Sequence, residues 1–130
     1  MKLGYTIVYV ADPKRTAEFW ERAFGLKQRP MDDSPMYREL ETGATTLSFV
    51  AQSYIRENLP GGFRAQQTDE APPPFEIALV TDDVAAALAR AVKAGAHKVQ
   101  EPKQKPWGQT VAYVRDCDGI LVELCTPMST

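Results

Sequence analysis

Histidine is nearly absent from this chain: there is one, His97, in 130 residues. A zinc centre favours nitrogen and sulfur donors, and a catalytic one normally uses three protein ligands, so the chain is poorly supplied for that chemistry. Cysteine is almost as scarce, with only Cys117 and Cys125. Two cysteines flanking one expected hairpin read as free thiols in a reducing cytoplasm, not as a disulfide framework. No apolar run reaches the roughly 18 residues of a membrane span. The short apolar stretch from Tyr5 to Ala11 leads into Asp12-Pro13-Lys14-Arg15 without a small-residue cleavage site, so it does not read as a signal peptide. Positive charge is not in excess. With a formal net charge of -2 and no basic patch interleaved with aromatics, nothing points to nucleic acid. There is no Gly-x-Ser-x-Gly elbow, neither cysteine has a histidine at recognisable spacing, and Gly61-Gly62 lacks a following Lys-Ser/Thr.

What the chain does have is an ordinary globular composition, 44% hydrophobic and 25% charged. Residues 1–130 fit a single domain, which at this length buries about two thirds of its unfolded surface without a staple. Within it, one pattern occurs twice. Tyr5-Thr-Ile-Val-Tyr-Val-Ala-Asp12 returns about 70 residues later as Glu76-Ile-Ala-Leu-Val-Thr-Asp-Asp83. Each copy leads into a helical pattern, Arg15–Phe24 and Val84–Ala94, that stops at a glycine, Gly25 or Gly95. Ala17, Trp20, Ala23 and Phe24 form the first helix's core stripe, and Ala85, Leu88, Ala91 and Val92 the second's. Asp12 or Thr16 is placed to cap the first helix, and Asp82-Asp83 the second.

Three strand-like runs follow each helix: Leu26–Arg29, Tyr37–Glu41 and Thr45–Ala51, then His97–Gln100, a run ending at Arg115, and Ile120–Cys125. Tyr5–Val10 is apolar on both faces and reads as a strand covered on both sides. The duplication predicts an α+β fold of two βαβββ modules in tandem, with mixed sheets curling around a cleft. Module one spans 1–52 and module two 75–130. A Pro/Gly-rich linker, 53–74, joins them, with a short helical turn expected at Ser53–Asn58.

The paired units, together with Ala17-Glu18-Phe19-Trp20, Phe24-Gly25-Leu26 and Asp116-x-Asp118-Gly119-x-x-x-Glu123-Leu124, resemble the vicinal oxygen chelate superfamily. That superfamily includes glyoxalase I, extradiol dioxygenases, fosfomycin-resistance enzymes and bleomycin-resistance proteins. The resemblance covers nearly the whole chain, and Pro106-Trp107-Gly108 looks most like the bleomycin-resistance branch. It implies ligands for a metal on the first and last strands of each module. Carried over with the hairpin glycines Gly43 and Gly119 matched, those positions are Tyr5, Leu47, Glu76 and Glu123. Only Glu123 is of the usual ligand type, so no family-type metal and no cofactor are expected. Glu76 and Glu123 alone would suit a weakly held hard divalent ion.

Strand parity puts Glu76 and Glu123 on one face, close together. The opposite wall is expected to be aromatic and uncharged, built from Tyr5, Ile7 and Tyr9 with Thr45, Leu47 and Phe49, and Trp107 is placed on a loop where it either packs or meets a ligand. The expected ligand-binding set is therefore Tyr5, Tyr9, Leu47, Phe49, Glu76, Trp107 and Glu123. It suits a small cationic or aromatic molecule. Two function classes stay open. One is a bleomycin-resistance-like protein that sequesters its ligand, an antibiotic-resistance role. The other is a glyoxalase- or dioxygenase-like enzyme in which Glu76 or Glu123 is the catalytic base. A third option is an interaction module whose cleft is filled by side chains. The resemblance also implies a homodimer, and the cysteine usage a cytoplasmic one.

Overall fold

The computed structural model describes residues 1–128, so the last two residues of the expected second module lie outside the described residues. The chain divides into two compact units, Met1–Glu21 with Gly25–Ala65, and Arg22–Phe24 with Gln66–Thr130.

The first unit opens with β1 (Tyr5–Val10), α1 (Pro13–Phe24), β2 (Tyr37–Glu39) and β3 (Thr46–Ala51), followed by a short α2 (Gln52–Asn58). Its sheet has the order β1-β3-β2, with β1 and β3 parallel and β2 antiparallel to β3. The strand expected at Leu26–Arg29 is reduced to one bridge, Gln28 to Leu40. Pro30 follows and has no N–H to carry the ladder further. Asp12 starts α1 by accepting a hydrogen bond from the Arg15 N–H at 3.2 Å, and Gly25 ends it at φ 72°, in the left-handed region. Trp20, fully buried, packs on Phe49 at 5.7 Å between ring centroids.

β1 departs from expectation. Val8 and Val10 are buried, whereas Tyr5 and Ile7 on the other face are 55% and 48% exposed. The first half of this strand is covered on one side only.

The second unit comprises β4 (Ile77–Val80), α3 (Val84–Lys93), β5 (His97–Gln104), β6 (Thr110–Arg115) and β7 (Leu121–Cys125), in the sheet order β4-β7-β6-β5. This is the βαβββ order in full. Asp83 caps α3 through the Ala86 N–H at 3.0 Å. The buried stripe of α3 is Val84, Leu88 and Ala91, while Ala85 and Val92 face solvent. The face is thus rotated by one residue from the expected one, because Val84 already sits in the first turn. β5 runs past the expected Gln100 to Gln104, with two register shifts against β6.

The β6–β7 turn shows what the Asp-x-Asp-Gly run does. Asp116 is buried, and its Oδ1 accepts from the N–H groups of Asp118 and Ile120, both at 2.9 Å. Gly119 has φ 90°, and a Cβ there would sit 2.9 Å from Arg115 Nη2 and 3.0 Å from the Gln67 carbonyl. Arg115 in turn donates to the carbonyls of Gly119, Gln67 and Glu70, tying the linker's end to this hairpin.

Candidate functional site

In the second unit, β7 lies between β4 and β6, and register decides which side chains share its outer face. Ala78 and Tyr113 are the Cα partners of Glu123, and Val80 and Val111 those of Cys125. Glu76, two residues before Ala78, falls on the same face by alternation. The side chains meet there. The Tyr113 hydroxyl donates to Glu123 Oε1 at 3.0 Å. The Glu76 carboxyl is pushed up from its ordinary range, first by partial burial and then by the hydrogen bond and charge of Glu123 beside it. Burial first, then Glu123, raises the Tyr113 phenol to about 12 and the Cys125 thiol to about 11. Neither Glu76 nor Glu123 forms an ion pair with another described residue. Arg115 is occupied by backbone carbonyls, and His97 is exposed at the start of β5.

The first unit's sheet corrects the expected wall. Tyr5, Ile7 and Tyr9 do share a face, but their β3 partners are Thr46, Ser48 and Val50. Leu47 and Phe49 point to the opposite side and are 6% and 0% exposed, inside the core with Trp20. If Tyr5 corresponds to Glu76, Ile7 corresponds to Ala78. Their strand partners then make Ser48, not Leu47, the counterpart of Glu123. The first hairpin carries one more residue after its glycine than the second, and a one-residue slip flips every side chain to the other face.

The wall is not uncharged either. Glu39 is the β2 partner of Ser48 and accepts a 2.6 Å hydrogen bond from the Tyr37 hydroxyl. Arg29 reaches Glu39 at 3.4 Å, Glu41 at 3.1 Å and the Thr46 hydroxyl at 2.8 Å. Hydrogen bonding to Arg29 holds the Glu41 carboxyl below its usual range.

Trp107 stands on the turn between β5 and β6, 59% exposed, its indole N–H donating to Gln109 at 2.7 Å. It is not a packing residue. Two participants were missed from the sequence, Tyr113 and Ser48. Tyr113 was legible, because counting back across the Asp116–Gly119 turn from Glu123 reaches it. Ser48 was hidden by the loop-length difference.

The donor set does not fit a zinc-type centre. Among the described residues no three of His, Cys, Asp and Glu converge. Beside the two carboxylates stand a phenol and a thiol whose raised pKa values keep both protonated near neutrality.

A family model for the "Glyoxalase/Bleomycin resistance protein/Dioxygenase superfamily" matches residues 2–124. No curated protein matches the chain. Among solved structures, a glyoxalase-related enzyme from Fulvimarina pelagi is similar with a TM-score of 0.82 at 19% identity, over 98% of this chain and 88% of that one. A glyoxalase/bleomycin resistance protein/dioxygenase family enzyme from Burkholderia phytofirmans PsJN has a TM-score of 0.74 at 18% identity, over 97% and 98%. TioX from Micromonospora sp. ML1 has a TM-score of 0.68 at 22% identity, over 97% and 98%. At such identities the likeness concerns the fold.

Proposed function

Because this chain belongs to the glyoxalase/bleomycin resistance protein/dioxygenase superfamily, we propose that it is a small-molecule binding protein that sequesters a cationic, aromatic-bearing ligand at Glu76 and Glu123 without a family-type metal. The observation that carries this reading is the carboxylate pair itself. Glu76 and Glu123 are close enough for Glu123 to push the Glu76 carboxyl up, with no ion-pair partner among the described residues. Adjacent like charges raise each other's free energy, and a bound cation relieves that directly. In the same unit Trp107, more than half exposed, offers a ring for stacking or cation–π contact. Leu47 and Phe49 leave the proposed ligand set because they are core residues. The reading extends to a cytoplasmic homodimer in which both cysteines stay as thiols.

Calorimetric titration with a cationic glycopeptide antibiotic and with planar cationic aromatics tests the proposal. Binding that weakens tenfold or more in E123Q supports it, and silence from every cationic compound overturns it.

One observation favours a second reading. The Glu76 carboxyl is pushed up by partial burial and by Glu123 beside it, and Glu123 itself accepts a hydrogen bond from the Tyr113 hydroxyl. A carboxyl raised in this way suits a general base for abstracting a carbon-bound proton near neutral pH. Under that reading, turnover of a glyoxalase-type substrate survives chelator treatment and disappears in E76Q.

A further inference from the structure

On the uncovered face of the first unit's sheet lies a hollow of about 470 Å³ lined by Ile7, Tyr9, Tyr37, Val50, Tyr54 and Ile55, with no charged side chain in the lining. The helix α2 supplies Tyr54 and Ile55, and its first residue is held to β1 by a Gln52 side-chain amide donating to the Tyr9 carbonyl at 3.3 Å. Phe63 closes behind Tyr9, edge-on at 5.2 Å, and is itself covered by the Arg56 guanidinium at 5.1 Å. Ile7 and Tyr54 remain about half exposed. Apolar side chains left in water around a concavity mark a recognition surface.

Beside this hollow is an unspent polar group. Ser48 is fully buried, and its hydroxyl is the buried side-chain atom left without a hydrogen-bond partner among the described residues. Its strand partners are Ile7 and Glu39. It lies near enough to the Tyr37 phenol to influence it, yet forms no hydrogen bond of ordinary geometry with it. The Tyr37 O–H is already committed to Glu39, which leaves the phenol oxygen free to accept.

We propose that this hollow is a recognition subsite for an uncharged, flat two-ring aromatic group whose hydroxyl accepts from the Ser48 O–H and donates to the Tyr37 oxygen. The volume lies in the usual range for small-molecule pockets, roughly 300–1,000 Å³. The three tyrosine rings favour a planar occupant, and a lining without charged side chains, beside a Glu39 already bonded to Tyr37 and Arg29, favours a neutral one. A ligand oxygen accepting from the Ser48 O–H would satisfy a hydroxyl that otherwise sits buried and unbonded. The inference deepens the proposed small-molecule binding and rests on it, but it concerns a neutral group and different residues from the carboxylate pair.

Equilibrium dialysis at neutral pH against 2-naphthol, with naphthalene as the partner lacking the oxygen, tests it. Wild-type protein is expected to bind 2-naphthol about tenfold more tightly than naphthalene. S48A should lose that tenfold preference while melting no lower than wild type, because it removes an unsatisfied group. A purely structural serine would not give that combination. I7W, which fills the hollow from an exposed position, should lose binding of both compounds at least tenfold with its circular dichroism unchanged. Equal binding of 2-naphthol by wild type and S48A, or by wild type and I7W, overturns the inference. A hollow covered by a second copy of the chain, seen as a wild-type dimer that I7W dissociates with no 2-naphthol bound by either, overturns it as well. Cationic ligands that bind while 2-naphthol does not sink this inference alone. Retained 2-naphthol binding without any cation binding sinks the carboxylate reading alone.

Discussion

Glu76 concentrates the chemistry of the second unit in one titration. Its folded-state pKa is raised, so its favourable contribution is present below the ordinary value of 4.5 and is lost as pH rises through the folded value. Above that point an ionised Glu76 stands beside Glu123. E76Q is therefore expected to be slightly more stable than wild type at neutral pH, by no more than about 1 kcal/mol given how much of the residue meets solvent, and equal to it at pH 4. Urea denaturation at both pH values checks this. Tyr113 gives a cleaner signal, because its phenol is held to about 12. An alkaline ultraviolet titration should show a tyrosinate step near that pH, and Y113F should remove it. If the step survives in Y113F, it belongs to another tyrosine and Tyr113 is not held that high.

Within the elements, the β6–β7 hairpin sets the register that brings Glu123 opposite Tyr113. Gly119 is required twice, by its positive φ and by the backbone and guanidinium that crowd its missing Cβ. G119A is expected to destabilise the fold by roughly 2–3 kcal/mol, measurable as a lower urea midpoint. D116A strands two backbone N–H groups and should cost about 2–4 kcal/mol. The opposite control is the first hairpin's Gly43, which also has positive φ but no neighbour within 4 Å of an added Cβ. G43A should cost only about 1 kcal/mol, the conformational penalty alone.

Over the whole chain, alkaline stability integrates these buried groups. Cys125 and Tyr113 are raised from 9.0 to about 11 and from 10.0 to about 12. Their contribution is complete below pH 9 and falls progressively as pH climbs through 12. The melting temperature should drop across that interval, and less steeply in Y113F. Cys125, buried as well as raised in pKa, should resist a thiol reagent at pH 8 until the protein unfolds, whereas half-exposed Cys117 should react in the native state. Among the described residues no helix is long and apolar enough to cross a membrane.

Much of this was determined by local order along the chain. Helix starts at Asp12 and Asp83, the stop at Gly25, the Asp116–Gly119 turn and the repeated βαβββ order depend on caps, turn chemistry and period, which act over a few residues. Strand parity placed Glu76 with Glu123, since alternation along a strand needs no knowledge of its partner. Tertiary structure decided what depends on pairing across loops of unequal length. It put Ser48 rather than Leu47 in the position matching Glu123, turned Leu47 and Phe49 into the core beneath Trp20, and left Tyr5 and Ile7 uncovered. A strand's own residues specify two faces, but which face is buried is fixed only by the register and packing of its neighbours.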